Sequence, residues 1–119
     1  MLNIGQFSEA TGLSAHTLRY YEKINLLSPV LRDNSGHRRY SQKDRDWVAF
    51  ITRLKQTSMP LKEIKKYAVL RAEGGVTLAS RKALLEAHAV FIADKIVQEK
   101  AHLVALEKKI AWYEEQLSL

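Results

Sequence analysis

From Thr77 to Ser118 the chain carries neither glycine nor proline. No residue in that stretch is a strong helix breaker. Read in alternating steps of four and three, positions 78, 82, 85, 89, 92, 96, 99, 103, 106, 110, 113 and 117 form one seam. Ten of the twelve are apolar, with Lys82 and Glu99 the exceptions. Apolar residues recurring every 3.5 positions are the pattern of a coiled coil. The pattern predicts a helix of about 40 residues, about 60 Å long, which outruns a globule of about 75 residues. Its far half therefore needs a partner, most simply the same helix of a second copy. Leu85, Ile92, Ile96, Leu103, Leu106, Ile110, Tyr113 and Leu117 would form that contact. The other reading of these residues is a broken helical hairpin that packs on itself.

The remaining residues leave room for one compact core. Nineteen Lys and Arg against thirteen Asp and Glu give a net charge of +6. Residues 1–75 hold 13 basic and 7 acidic side chains, and residues 76–119 hold 6 of each. All the excess positive charge thus lies in the first two thirds, which suggests a local polyanion-binding surface. By charge alone, a solvated basic face would look the same. Gly and Pro are scarce, at 5 and 2, and 46% of the chain is hydrophobic, which argues against disorder and against a β-rich domain. With no cysteine, the chain has no disulfide, thiolate metal site, catalytic thiol or cysteine redox sensor. No apolar run is long enough to span a membrane. Met1-Leu2-Asn3-Ile4 does not read as a secretory signal, so a cytoplasmic location is expected.

Asn3 can cap a short helix with Ile4, Phe7 and Ala10 on one face, and Gly12 is a natural stop. Ser14 caps a second helix. Leu18 and Tyr21 lie on one side of it, and His16, Arg19, Tyr20 and Lys23 on another. Two short helices around a tight turn containing glycine form a helix-turn-helix pattern. Pro29 marks the end of that unit. Val30-Leu31-Arg32 and Arg38-Arg39-Tyr40 flank Asp33-Asn34-Ser35-Gly36 and read as a β-hairpin. Ser41, with Asp44 in a capping box, starts a third helix whose stripe is Trp47, Phe50, Ile51 and Leu54. Pro60 suits the first position of a fourth helix. In that helix Leu61, Ile64, Ala68 and Val69 are expected inward, and Lys62, Lys65 and Lys66 outward. Gly74-Gly75 ends it and divides the chain into residues 1–75 and residues 76–119.

The best candidate site joins Arg19-Tyr20-Tyr21 to Arg38-Arg39-Tyr40. Arginine can grip a phosphate or read guanine with two hydrogen bonds. Ala15, His16 and Arg19, early in the second helix, are placed to enter a major groove. The basic hairpin would lie beside them on the phosphate backbone or in the minor groove. Tyr21 and Tyr40 can equally be core aromatics. Catalytic readings are poor, because no phosphate loop, nucleophile elbow or HExxH motif is present. His16, His37, His88 and His102 lack ligand spacing, so neither a metal nor another cofactor is expected. His88 and His102 stand about 21 Å apart on one helix. The runner-up to a sequence-specific DNA-binding protein is a coiled-coil adaptor with non-specific nucleic-acid or protein binding.

Four segments carry a resemblance: Ile4-Gly5-Gln6-Phe7 through Gly12-Leu13-Ser14, Thr17-Leu18-Arg19-Tyr20-Tyr21-Glu22, Gly36-His37-Arg38-Arg39-Tyr40, and Met59-Pro60-Leu61-Lys62-Glu63-Ile64. In this order they resemble the MerR family of bacterial transcriptional regulators, over residues 2 to about 73. The resemblance implies a mainly α fold. It consists of a winged helix-turn-helix DNA-binding domain with two further helices, then a long dimerisation helix in an antiparallel coiled coil. It implies DNA contacts by Arg19 and Tyr20 in the second helix, by Arg38, Arg39 and Tyr40 in the wing, and by Lys62 at a phosphate. Together with the readings above, the candidate DNA-binding set is Ser14, Ala15, His16, Thr17, Arg19, Tyr20, Tyr21, Arg32, His37, Arg38, Arg39, Tyr40 and Lys62. The implied partners are a pseudo-palindromic promoter operator, a second copy of the chain, and RNA polymerase at the promoter. The short chain is most similar to the NmlR or AdhR type. That group places a reactive cysteine late in the fourth helix, where this chain reads Tyr67-Ala68-Val69-Leu70.

Overall fold

The computed structural model describes residues 1–27 and 31–119, with only the backbone of Leu31. The expectations at Pro29 and Val30 lie outside the described residues. Among the described residues, five α-helices and a two-stranded hairpin follow in the order α1 (Ile4–Thr11), α2 (Ala15–Lys23), β1 (Leu31–Arg32), β2 (Arg38–Arg39), α3 (Gln42–Gln56), α4 (Leu61–Glu73) and α5 (Leu78–Leu117). A single 3-10 turn, Gly75–Thr77, precedes α5.

Local chemistry sets the helix ends. The Asn3 side chain accepts a hydrogen bond from the Gln6 amide at 2.8 Å, and the Gln6 side chain accepts one from the Asn3 amide at 2.9 Å. This reciprocal box satisfies two amide donors at the start of α1. Gly12 ends the helix at φ 75°, a left-handed conformation that glycine adopts without a Cβ clash. Ser14 caps α2 through the Thr17 amide. Ser41 and Asp44 form the expected box at α3. Pro60 is the N-cap of α4 rather than its first helical residue, one position earlier than expected. Its extended ψ of 143° keeps it outside the helix.

The core of the first unit closes around Phe7, Leu18, Tyr21, Trp47, Ile51, Leu54, Ile64 and Ala68, joined by Leu26, Leu27, Val48 and Met59. The Phe7 and Tyr40 rings stack at 4.2 Å, nearly parallel. The Trp47 indole donates to the Leu26 carbonyl at 2.7 Å, which satisfies its buried N–H. Tyr67 stacks on Trp47 from one direction, and the Arg71 guanidinium sits 4.5 Å from the indole centre. Two inward assignments on α4 are corrected. Leu61 and Val69 are exposed, at 39% and 58%, because its buried face narrows to Ile64 and Ala68. Phe50 is only half-buried, and the fully buried neighbour on α3 is Val48.

The chain divides into two compact units, Met1–Arg81 and Lys82–Leu119. The break falls six residues beyond the glycine pair, and hydrogen bonds explain why. The Thr77 hydroxyl donates to the carbonyls of Leu70 and Gly74, and Arg81 donates to Thr77 and to the Gly74 carbonyl. These contacts tie the first turn of α5 to the end of α4. From there α5 runs as one uninterrupted 40-residue helix, so the broken-hairpin reading falls. Among the described residues no helix is long and apolar enough to cross a membrane.

Candidate nucleic-acid interface

The α1–α2 turn is a braced corner. The Ser8 hydroxyl donates to the Leu13 carbonyl at 2.6 Å, and the Gly12 amide to the Ser8 carbonyl at 2.9 Å. Helix α2 then buries Leu18 and Tyr21 and leaves His16, Arg19, Tyr20 and Lys23 exposed. Tyr20 is 46% exposed although it is aromatic. Arg19 makes no hydrogen bond or ion pair with any described residue. Its five donors are therefore open to a ligand.

The hairpin pairs Leu31 with Arg39 and Arg32 with Arg38 in antiparallel register. Leu2 extends it through a bridge to Tyr40, with amide-to-carbonyl distances of 2.8 and 2.9 Å. That bridge fastens the base of the hairpin to the start of α1. Asp33 organises the tip. Its Oδ1 accepts from the Ser35 and His37 amides at 2.9 and 3.0 Å, and its Oδ2 accepts from Arg39 Nη2 at 3.0 Å. Arg32 Nη1 donates to the Gly36 carbonyl at 2.8 Å. Arg38 Nε pairs with Glu22 Oε2 at 2.6 Å, which links the hairpin directly to α2. Asn3, Ile4, Arg19, Arg32, Gly36, His37, Arg38 and Arg39 line one concavity of about 440 Å³ between these elements. Of its four arginines, Arg38 and Arg39 are paired with Glu22 and Asp33, and Arg19 and Arg32 leave the wall net positive, which suits a polyanion.

The sequence-derived candidates divide by placement. Arg19, Arg32, His37, Arg38 and Arg39 meet at the concavity. His16 and Tyr20 lie on the same outward face of α2 as Arg19. Ser14 and Thr17 are partly committed, since the Ser14 hydroxyl both caps the helix and donates to Thr17 Oγ1 at 3.0 Å. Ala15 is half-buried, and Lys62 is exposed in the first turn of α4. Tyr21 and Tyr40 are corrected. They are 2% and 0% exposed, so neither ring faces outward in this conformation. The Tyr21 hydroxyl accepts from Lys55 Nζ at 3.1 Å, whereas the Tyr40 hydroxyl is buried without a hydrogen-bond partner among the described residues. Sequence reasoning missed Glu22 and Asp33, the two carboxylates that hold the arginines. Asp33 lay within the recognised turn, where an Asx side chain capping its own loop is a usual device. Glu22 gave no local signal, because its partner stands 16 residues away.

Two predictions arise here. Burial pushes the Tyr40 phenol above its ordinary pKa, and the charge of Arg38 works the other way. A raised folded pKa gives stability that is present below the unfolded value, about pH 10, and lost as pH rises toward the folded one. Tyr40→Phe removes the unpaired hydroxyl. It is expected to leave neutral-pH stability unchanged or higher by up to about 1 kcal/mol, to flatten the alkaline loss, and to leave DNA affinity unchanged. Thermal melts from pH 7 to 11 and a gel shift check it. A large loss of DNA affinity would give Tyr40 a contact that its burial denies.

The second concerns Asp33. The His37 amide, then the Ser35 amide and the charges of His37 and Arg39, hold its carboxyl below the usual carboxylate range against an opposing desolvation. A depressed folded pKa gives stabilisation that is present above the unfolded value and lost as pH falls through the folded one. The hairpin tip should therefore stay ordered through about pH 4 and open below it. Amide shifts of Ser35 and His37 followed against pH report this directly. Asp33→Ala should loosen the tip at every pH.

Comparison with known proteins gives concordant matches. A family model described as MerR HTH family regulatory protein matches residues 2–69. An HTH-type transcriptional regulator of Haemophilus influenzae is 38% identical over 112 residues, 94% of this chain and 83% of that protein. The regulator AdhR of Bacillus subtilis is 38% identical over 84 residues, 71% of this chain and 60% of that protein. Among solved structures, a MerR family transcriptional regulator from Listeria monocytogenes superposes with a TM-score of 0.89 at 33% identity, over 96% of this chain and 86% of that one. HiNmlR, described as a MerR family regulator lacking the sensor domain and bound to promoter DNA, superposes at 0.85 with 37% identity. That match covers 98% of this chain and 93% of that one.

Proposed function

The chain belongs to the MerR HTH family of regulatory proteins, and from that premise we propose that it is a sequence-specific transcriptional regulator that binds promoter DNA as a homodimer. The observation that carries this reading is the concavity in which Arg19 of α2 meets the three arginines of the hairpin. A helix with an outward basic face beside a basic wing matches the shape of a major groove flanked by phosphates. The promoter-bound state of HiNmlR, which this chain nearly spans, supports the same use of the surface.

In this reading His16, Arg19 and Tyr20 enter the major groove, and Arg32, His37 and Arg39 follow the backbone at its edge. Lys62 neutralises a further phosphate. Glu22 and Arg38 act as positioning residues, because their ion pair fixes the angle between recognition helix and wing. Tyr21 and Tyr40 support these elements from the core. Helix α5 joins two copies, so the operator is a pseudo-palindrome with both half-sites on one face of the duplex. Contacts on both sides offset the bending of an uncontacted centre, on the order of 1–6 kcal/mol for smooth bending. Such distortion, with the regulator and RNA polymerase on the promoter together, is the mode of action we favour. Nothing in this reading requires catalysis, a cofactor or a membrane, and the place of work is the cytoplasm. With no cysteine in the chain, any signal it receives acts without its own thiol chemistry.

The test is to sequence the DNA that the protein retains from its own genome. A competition gel shift against random duplex at fixed salt follows, with chemical footprinting of the central base pairs. A marked preference for the recovered site with enhanced central reactivity is expected. A specificity ratio near one would favour the coiled-coil adaptor, and an undistorted centre with polymerase excluded would mean steric repression.

A further inference from the structure

A separate hollow, of about 360 Å³, lies within the first unit between α3, α4 and the residues that follow α2. Leu26, Leu27, Trp47, Ala68, Val69 and Ala72 make its lining mainly apolar. None of them belongs to the arginine concavity. The chain itself braces these walls. Asn25 takes a left-handed backbone at φ 64°, which asparagine tolerates better than most residues. The chain turns back there, and the Leu26 and Leu27 amides both donate to the Tyr21 carbonyl, at 2.8 and 3.1 Å. The Leu26 carbonyl in turn accepts the Trp47 indole N–H. The Tyr67 ring stacks on the same indole at 5.7 Å. A cavity braced in this way needs little ordering when it is filled.

One cation enters this apolar setting. Arg71 is half-buried, with its guanidinium 4.5 Å from the Trp47 ring centre. The ring attracts the positive charge but takes up none of the N–H donors as a full acceptor would. The Arg71 side chain makes no hydrogen bond or ion pair with any described residue. Partial burial without an acceptor is costly for a charged donor, so Arg71 gains from an anion placed beside the indole. A carboxylate fits best, because it accepts two parallel hydrogen bonds from one guanidinium. The apolar walls require the rest of such a ligand to be apolar, and the volume is near the lower end for ligand sites, which suits one ring or a short chain. Glu73 lines the same hollow and forms no ion pair among the described residues. Its carboxylate opposes a second negative charge, so dicarboxylates and phosphate esters are disfavoured.

We propose that this hollow binds a small organic monocarboxylate with an apolar body, the carboxylate on Arg71 and the body against Leu26, Leu27, Val69 and Ala72. The site goes beyond the DNA-binding reading and does not depend on it. Binding of this kind is reversible and needs no thiol, which the chain lacks. An occupant would tie α4, which carries Lys62 in its first turn, to α3 and to the turn that follows the recognition helix.

Trp47 and Trp112 are the only tryptophans, so the full chain carrying Trp112→Phe reports on Trp47 alone. Titration with 3-phenylpropionate at constant ionic strength should give a saturable change in Trp47 fluorescence, with a dissociation constant on the order of 1 mM or below. Its neutral amide and the dianion phenylsuccinate should each bind at least about tenfold more weakly. Arg71→Gln should bring acid and amide to within about twofold of each other. Arg71→Lys, which keeps the charge without the paired donors, should retain a reduced preference for the acid. Should Arg71→Gln fail to fold, the exposed Glu73→Gln decides instead, by admitting phenylsuccinate to within about twofold of the monoanion. Methyl shifts of Val69 and Ala72 on titration place the ligand in the hollow. The absence of a saturable Trp47 response, equal wild-type affinities for acid and amide, or shifts confined to other methyls would overturn the site. None of these results bears on whether the arginine concavity binds DNA, which the gel shift decides separately.

Discussion

The chain carrying Leu106→Asp and Ile110→Asp together is expected to be monomeric at every concentration where the wild type is dimeric. These residues stand four apart on the α5 seam and are 62% and 57% exposed in the single chain. Burying a leucine or isoleucine side chain contributes about 1.5–3 kcal/mol, and a two-fold interface counts each residue twice. The double substitution therefore removes roughly 6–12 kcal/mol of gross burial, where each 1.4 kcal/mol is about tenfold in affinity. It also asks four carboxylates to leave water without partners, which adds a further penalty. The released helix, isolated beyond the first unit, should fray, because long helices draw most of their stability from packing. Loss of helical circular dichroism with an unaltered Trp47 environment would separate dissociation from general unfolding. Binding to a two-half-site operator should fall on the order of 10²–10⁴-fold as the second half-site ceases to be intramolecular. Light scattering and a gel shift on the same sample measure both effects. A double variant that remains dimeric and folded would mean that α5 uses another face.

The features legible in the sequence were those whose causes are local. Asn3, Ser14 and Ser41 cap helices through amides three residues away, so spacing alone reveals them. The same holds for the uninterrupted α5, where a missing Gly or Pro over 42 residues leaves no other regular structure. The outward face of α2 followed from helical periodicity. What escaped was set by contacts between distant segments. Tyr20 and Tyr40 have the same side chain, yet one is exposed and the other stacks on Phe7 in the core. Residue type cannot distinguish an exposed phenol from one packed under a hairpin. Arg38 reads as a free cation until Glu22 is found beside it. Val69 fits an apolar stripe on α4, but no element lies over it in the described residues of the chain. The domain break likewise moved from the glycine pair to Arg81, because side chains of α5 reach back to carbonyls at the end of α4.

The other large effect is expected in the salt dependence of DNA binding. The excess positive charge of the chain lies wholly in residues 1–75, and four arginines converge on the concavity between α2 and the hairpin. Arg32, Arg39, Lys62 and Arg19 give each protomer up to four cations for phosphates, Arg38 being held by Glu22, so a dimer that engages about six to eight of them releases as many counterions. Affinity should then fall by about 10³–10⁵ between 50 and 200 mM salt. Individual residues should divide this effect according to their surroundings. Lys62→Ala should weaken cognate and random duplexes alike and flatten the slope by roughly one unit per half-site. Arg19 is different, since it is exposed on α2 and makes no hydrogen bond or ion pair with any described residue. Arg19→Ala should cost on the order of 1–3 kcal/mol on the cognate site and less on random DNA, because a guanidinium reading guanine makes two directed hydrogen bonds. Arg38→Ala should instead show the signature of a loosened wing, a loss on cognate and random duplexes with little change in salt slope, because it removes the partner of Glu22. Titrations at four salt concentrations for wild type and the three variants resolve these contributions. Equal losses on cognate and random DNA would make Arg19 a phosphate contact and move base reading to His16 and Tyr20. A salt slope near zero would remove DNA as the ligand of this surface.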